Sequence, residues 1–320
     1  MRVHLIANRR ARGLRATPGR LARLAELARG RAELHTSADL GELDAIAAEV
    51  AKSAPELVVL AGGDGSFMAG TTALTSAYGG RPLPRIGLLP TGTVGTVARA
   101  FGDRGSAEQQ LERWLRDPRA QPDVERPTLE VRALEAGGWA TRVGYIVGAG
   151  LVSSFFEAYE ERGATGVPLA GRIVARVFAE SFVGGPFAKR ILDPVGCALE
   201  IDGEPTRTAR LSLLCASVVR DLGLGMKVCY LAEAQRERIH LVVSSLPPHE
   251  LGPRAPRVLA GRSIGGAGHV DRLVERFALE LERPSYVLDG DLLRASRIEV
   301  RMGPRVRILT SPQRAASTTR

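Results

Sequence analysis

Residues 57–73 read LVVLAGGDGSFMAGTTA. Leu57–Leu60 is an apolar run too short for a helix and rich in β-branched valine, so it predicts a buried strand. Ala61-Gly62-Gly63-Asp64-Gly65-Ser66 then predicts a glycine turn and a helix start, with Ser66 near the helix N-terminus. Such a turn suits anions. Glycines let the backbone approach a phosphate closely, and the N–H groups of the helix N-terminus point at it. Asp64 is the unusual member, because a carboxylate beside a phosphate repels it. It fits if it holds a metal, orients a nucleophile or bonds a sugar hydroxyl. The plain alternative is a tight β–α turn with an acid at the helix start.

A second loop of this kind follows about one βα unit later. Arg85–Pro90, RIGLLP, is another short apolar strand, and Thr91-Gly92-Thr93-Val94-Gly95-Thr96 opens a helix running through Ala98 to Phe101. Two glycine-hydroxyl loops after successive strands sit together at the carboxyl ends of a parallel sheet, where open α/β folds bind ligands. Either loop alone is a weak signal; the ordered pair is a stronger one.

GGDGS followed by LPTGTVGTVAR resembles the catalytic domain of diacylglycerol kinases, sphingosine kinases and bacterial lipid kinases, where the pattern is GGDGT and then LPxGTxNDxAR. The resemblance extends to a first strand ending in Asn8, where that family has NPxSG, and to Asp289-Gly290-Asp291, where it usually has DGE. NAD kinases and phosphofructokinases are more distant relatives with a GGDG loop.

The chain has 320 residues, enough for two domains and a sizeable core. At 44% hydrophobic and 25% charged it reads as globular, neither disordered nor fibrous. The net charge of +9 is almost wholly arginine, because Lys52, Lys189 and Lys227 are the only lysines. A basic surface suits ATP, an anionic membrane or nucleic acid alike, so charge alone selects no partner. The apolar core of the N-terminus is too short for a signal peptide, and no stretch reaches the ~20 apolar residues of a membrane span. Cys197, Cys215 and Cys229 are too far apart for a zinc knuckle and read as small core residues. The expected location is the cytoplasm, with peripheral contact to membranes.

Along the chain, strands are expected at Val3–Ala7 and Ala32–His35. Helices are expected where Leu21, Leu24, Ala25 and Ala28, and then Leu43, Ile46, Ala47 and Val50, fall at helical spacing. A further helix, Ala107 to Leu115, is expected with Ser106 as its cap. This β–α alternation predicts a doubly wound parallel α/β sheet over residues 1–125. The pattern changes after Pro118–Pro122. Leu129–Arg132, Thr141–Ala149, Cys197–Ile201, Ala209–Ser217 and Ile239–Ser244 alternate, with Gly137-Gly138 and Asp202-Gly203 turns between them. They predict a mainly antiparallel, sandwich-like β domain over residues 126–292. A helical insert from Val152 to Phe187 interrupts it and carries Phe155, Phe156, Tyr159, Phe178 and Phe182. Such a stripe is ordinarily core; read through the resemblance, Phe155, Phe156 and Phe182 wall an acyl-chain cleft. Leu251–Gly268, rich in Gly, Pro and Arg, is expected as a mobile loop. The resemblance implies that a segment of about 293–310 returns to the first domain, and residues 311–320 are expected as a flexible tail.

No GK[ST] loop and no GxGxxG fingerprint after a strand is present in the sequence. Phosphate cradling would therefore fall to Gly62, Gly63, Gly65 and Ser66, with Gly92, Thr93 and the basic loop of Asn8, Arg9, Arg10 and Arg12. The hydroxyls among these are as readily helix caps. The resemblance implies Thr36 near the nucleotide, Asp291 as the proton acceptor in place of the family glutamate, and Asp289 near the metal or the phosphates. Without it, Asp289-Gly290 is a turn. Asp64 and Asp289 are then the candidate metal residues, and ATP and Mg²⁺ the cofactors.

Three positions depart from the family pattern. Gly95-Thr96 replaces Asn-Asp, Arg9 replaces the first proline, and Tyr230-Leu231-Ala232 with Gln235–Arg238 replaces an acidic turn that can hold a structural Mg²⁺, with Arg236 there in place of an acid. The resemblance thus implies a divergent kinase that phosphorylates a hydroxyl of a diacylglycerol- or sphingoid-like lipid at an anionic membrane surface. A homodimer is compatible with it, and no nucleic-acid partner is expected. The alternatives are an NAD kinase-like enzyme with a soluble acceptor and a catalytically silent nucleotide-binding regulator.

Overall fold

The computed structural model describes residues 2–91, 97–98, 105–161, 167–220, 222 and 225–310, giving only the backbone for residues 12, 167 and 168. The chain divides into two compact units, Met1–Arg126 with Arg305–Arg320, and Pro127–Pro304.

In the first unit, β1 (Val3–Asn8), β2 (Glu33–Ser37), β3 (Leu57–Gly62) and β4 (Arg85–Pro90) form a parallel sheet in the order β2-β1-β3-β4. The last strand, Val306–Leu309, lies parallel to β4, and β5 (Asp123–Arg126) closes the edge antiparallel to it. Every residue of β3 is buried, as continuous apolar runs require when both faces of a sheet are covered. Among the described residues the cover comes from α1 (Arg20–Ala28), α2 (Leu40–Ser53), α3 (Asp64–Tyr78) and α4 (Ala107–Arg116). Leu24 and Ala28 of α1 join Leu111 and Trp114 of α4 against Leu5, Leu57, Val59 and Leu89. On the other face α2 packs beside α3, and Gly70 of α3 rests on Leu60: a Cβ there would come 2.8 Å from both Leu60 methyl carbons. Helices on both faces make the sheet doubly wound, as expected from the β–α alternation. Ser106 caps α4 through a reciprocal capping box with Gln109.

The returning segment is shorter than the 293–310 expected. Arg297–Met302 pairs in the second unit, and only Arg305 onward belongs to the first.

The second unit holds two antiparallel sheets. One contains β6 (Leu129–Glu135), β7 (Gly138–Gly144), β9 (Val195–Ile201), β10 (Glu204–Pro205), β15 (Arg276–Leu281) and β18 (Arg297–Met302), with β11 (Arg210–Leu211) on β9. The other runs β14-β13-β12-β8-β16-β17, from Val270–Val274, Ile239–Ser244, Leu213–Ser217, Ile146–Gly150, Tyr286–Leu288 and Asp291–Leu293 respectively. Two stretches expected as single strands each divide between the sheets. Thr141–Ala149 breaks at Tyr145, and Ala209–Ser217 breaks at Ser212, whose N–H and Oγ both donate to the Ser244 carbonyl.

Three helices, α5 (Leu151–Glu160), α6 (Val167–Val183) and α7 (Pro186–Leu192), form the insert. Ala158, Ile173, Val177 and Ile191 pack with Leu213, Cys215 and Val242 of the sheet. Leu251–Gly268, expected as a mobile loop, is largely ordered. It follows the turn Pro248–Leu251, continues through Gly252–Arg254 and Ala255–Leu259, and buries Leu251, Val258 and Ile264 in that core. Two of its three arginines are structural: Arg254 and Arg257 both donate to the Ile264 carbonyl.

Where the family's acidic turn is replaced, a buried polar network stands nearby. Leu231 N–H donates to His240 Nδ1, so the His240 proton sits on Nε2 and is donated to Asp271 Oδ1 at 2.7 Å. Tyr230 Oη donates to Asp271 Oδ2 at 3.1 Å, and His269 Nε2 lies 3.3 Å from the same oxygen. Arg238 pairs with Glu275 at 2.9 Å. Burial alone would raise the Asp271 pKa, but hydrogen bonds from His240, His269 and Ser263 outweigh it and hold the carboxyl far below its usual range. A depressed folded-state pKa contributes stability that is complete above the unfolded value of about 3.9 and is lost as pH falls below it. Asp271→Asn is therefore expected to destabilise by about 1–3 kcal/mol at pH 7, with the gap to wild type narrowing below about pH 4. Urea unfolding at a series of pH values reads this, and a pH-independent gap would contradict it.

Candidate active site

The first unit assembles a candidate phosphate site at the carboxyl edge of its parallel sheet. Ala7 pairs with Thr36, Asn8 with Ser37, and Ala7 with Ala61, so the ends of β1, β2 and β3 are level. Asn8 Nδ2 donates to Ser66 Oγ at 2.8 Å, and its Oδ1 accepts from Arg10 N–H at 2.8 Å. One side chain thus ties the basic loop to the glycine loop. Gly62 is required by contact: a Cβ there would fall 2.2 Å from Ser66 Cβ. Gly63 is the N-cap of α3 and brings no side chain to the N–H groups of the first turn, which contains Asp64, Gly65 and Ser66. Arg9 donates its N–H to the Ser37 carbonyl and pairs with Glu42 at 3.3 Å. Thr36 is half-buried, and Arg9 and Arg10 are exposed.

Asp64 Oδ1 accepts the Val97 N–H at 3.0 Å. This joins the GGDG loop to Val97, a link that the sequence did not reveal because its donor is backbone. Gly92 and Thr93 lie outside the described residues. Arg12 begins the one-turn helix Arg12–Arg15, its side chain outside the described part. The oxygen groups at the loop, the Asp64 carboxylate and the Ser66 hydroxyl, are hard donors of the type that suits Mg²⁺.

In the second unit, Leu288 pairs with Asp291 across a two-residue loop, Asp289-Gly290, with φ +48° and +89°. Positive φ at both central residues makes this a type I′ hairpin, so Asp-Gly is a turn, as its composition suggests. Asp289 is 3% exposed, and its carboxylate accepts from Tyr145 N–H (3.0 and 3.1 Å) and Ile146 N–H (2.8 Å). It therefore fixes the break between β7 and β8, 144 residues away in sequence. The same carboxylate explains Gly144, whose Cβ would lie 2.7 Å from Asp289 Oδ2. The metal role implied for Asp289 does not fit a buried carboxylate bonded to backbone in this way. Asp291, by contrast, is exposed at the start of β17.

The aromatic insert divides into two groups. Phe155, Phe156 and Tyr159 of α5 are in mutual ring contact, with centroids 5.6–6.5 Å apart. Phe155 leans on the core, whereas the Phe156 ring lies 3.9 Å from where a Gly290 Cβ would be. Phe156 and the Asp289–Asp291 hairpin are thus neighbours. Phe182 belongs elsewhere: it stacks edge-on against Phe178 at 5.0 Å, and the pair is 57% and 36% exposed. Val174, one turn before Phe178, extends this apolar face of α6, and Val183 is exposed at the helix end.

Residues 2–125 match the diacylglycerol kinase catalytic domain. That span is nearly the whole N-terminal part of the first unit and contains every residue assigned above to phosphate cradling. The fold of the full chain is similar to a diacylglycerol kinase structure from Bacillus anthracis (14% identity, 97% of each chain covered, TM-score 0.59). Two further structures of that organism, described provisionally as diacylglycerol kinases, align over 97% of each chain at 14% and 12% identity, with TM-scores of 0.63 and 0.64. At these identities the likeness is one of fold. No curated protein matches the chain. The first unit is thus similar to the diacylglycerol kinase catalytic domain, and the second holds antiparallel sheets.

Proposed function

We propose that the protein is an ATP-dependent kinase that phosphorylates a hydroxyl group of a diacylglycerol- or sphingoid-like lipid. The observation that carries this reading is the Gly62–Ser66 loop at the sheet's carboxyl edge, tied to Asn8 and Val97, within a diacylglycerol kinase-like domain. Gly62 and Gly63 let the backbone approach the phosphates, and the first-turn N–H groups of α3 accept their charge. Arg9, Arg10 and Thr36 flank them. Asp64 would hold Mg²⁺ with oxygen ligands, and the ion would neutralise charge on the transferring phosphoryl group. In the second unit, Asp291 would take the proton from the acceptor hydroxyl as its oxygen bonds to the γ-phosphorus and ADP leaves. Asp289 acts as a positioning residue, because it holds the hairpin that presents Asp291.

The exposed Phe178–Phe182 face favours a lipid acceptor over a soluble one such as NAD, and among the described residues no helix is long and apolar enough to cross a membrane. The reading therefore has the protein working at a membrane surface. Anionic vesicles are expected to sediment it at low salt, less as salt screens the charge. Replacing Phe178 and Phe182 with Ser should remove a salt-insensitive part of binding worth about 1 kcal/mol per ring, since each is already partly buried, with nucleotide affinity unchanged. Vesicle binding that is absent, or identical in the double variant, would count against the lipid reading.

A further inference from the structure

His4, Glu33 and His35 share one face of the β1–β2 pair near its amino-terminal end: His4 is in register with Glu33, and His35 follows two residues on. His4 lies four residues before Asn8, about 13 Å from the candidate phosphate site at ~3.3 Å per residue. His4 Nδ1 and His35 Nε2 are 2.9 Å apart. The Glu33 carboxylate oxygens stand 3.7 Å from the former and 3.5 Å from the latter. All these atoms lie within 4.8 Å of one another.

The tautomer of His4 is fixed by its other neighbour. Ser53 Oγ donates its proton to the Val50 carbonyl at 2.9 Å, so at its 2.9 Å contact with His4 Nε2 it must accept. His4 Nε2 therefore carries the proton, and the Nδ1 lone pair faces His35 and Glu33. Burial is the main cause lowering the His4 pKa, reinforced by His35 and Arg2 and opposed by Glu33, so the ring stays neutral at physiological pH. A hydroxyl holding one imidazole nitrogen while the other is aimed into a cluster of donors is the outer-shell arrangement of histidine metal ligands.

We propose that His4 Nδ1, His35 Nε2 and the Glu33 carboxylate bind one divalent transition-metal ion, zinc by the chemistry of the donors, with water as the fourth ligand. Two imidazoles and a carboxylate suit zinc, cobalt and nickel and disfavour magnesium and calcium. Zinc–nitrogen bonds of about 2.0–2.1 Å imply tetrahedral edges of about 3.3 Å. Each Glu33 oxygen is near that spacing from one nitrogen, Oε2 from His4 and Oε1 from His35, so the carboxylate must turn to bring one oxygen to both. The two nitrogens must separate by about 0.4 Å to reach that spacing. The ring planes are within 20° of parallel and the two nitrogens face each other at 2.9 Å, so His35 must also pivot before both lone pairs can reach one ion. Its place on the edge strand permits this, and its Nε2 proton moves to Nδ1. The bound ion would clamp edge strand β2 to β1, far from the glycine loops, and so would stabilise the unit without taking part in transfer.

The test uses the untagged full chain after EDTA treatment, dialysed against zinc chloride or cobalt chloride. One equivalent of metal per chain is expected, with a zinc-dependent rise in Tm and the visible absorption of four-coordinate cobalt. Both signals should be lost in His35→Gln, which keeps an N–H to donate to His4 Nδ1. Glu33→Gln, at an exposed position, should weaken binding at least about tenfold, and Ser53→Ala about tenfold through the lost outer-shell bond. Circular dichroism and an unchanged Tm in EDTA check the fold. If His35→Gln fails that check, Glu33→Gln decides. Negligible metal uptake overturns the proposal, and so does uptake undiminished in these variants, which would assign the metal to Cys215 and Cys229 or another group.

Discussion

Asp64→Asn is expected to lower phosphate transfer about 100- to 1000-fold while the protein remains folded. Asparagine is the informative replacement because its Oδ1 can still accept the Val97 N–H, so the link from the GGDG loop to Val97 survives. What it lacks is the second anionic oxygen and the charge needed to hold a divalent cation against the γ-phosphate. Thermal unfolding should stay close to wild type, and ATP affinity without Mg²⁺ should change little. The gain in nucleotide affinity on adding Mg²⁺ should shrink. Titration of a fluorescent ATP analogue with and without Mg²⁺ separates these effects. Wild-type turnover in the purified variant would remove Asp64 from the chemistry.

Asp291→Asn is expected to reduce kcat about 100- to 10,000-fold with nucleotide affinity nearly unchanged, because a general base acts in the transition state. The variant should fold normally. Asp291 is exposed, and the hairpin is set by the positive-φ pair Asp289-Gly290 rather than by Asp291 itself. Asp291→Glu, which restores the carboxylate on a longer arm, should recover activity. A kcat unchanged in the Asn variant would end the general-base assignment. A shared fall in stability and activity would mean that the residue serves only the turn.

Much of the first unit is legible in the sequence because its signals are local. Leu57–Leu60 must be a buried strand, the glycines that follow must turn, and Ser106 caps the helix expected after it. The second unit is less legible because distant partners set its boundaries. Tyr145 divides a stretch that alternates like one strand, and the group that stabilises the break is Asp289, 144 residues on. Ser212 divides another through the Ser244 carbonyl. Leu251–Gly268 misleads for a different reason. Its Gly, Pro and Arg content resembles a loop, yet Leu251, Val258 and Ile264 fill the core and two of its arginines bond to backbone. At the site, the glycine-loop motif singled out Asp64, and the family resemblance implied Asp289 and Asp291, but neither told a ligand from a brace. Asp289 shows the difference, since three backbone hydrogen bonds and near-complete burial make it structural. The aromatic insert divides in the same way, with Phe155 against the core and Phe182 in the open.

The central claim is phosphoryl transfer to a lipid hydroxyl. The most direct measurement incubates the purified chain with γ-labelled ATP, Mg²⁺, a dispersed mixed-lipid extract and, in parallel, NAD. The account predicts label in the organic-solvent phase, dependent on Asp64 and Asp291, and none in NADP. Label in NADP alone would make the protein a soluble-substrate kinase. No label in either phase, with ATP still bound, would make it a silent nucleotide-binding protein, and either result would contradict the account.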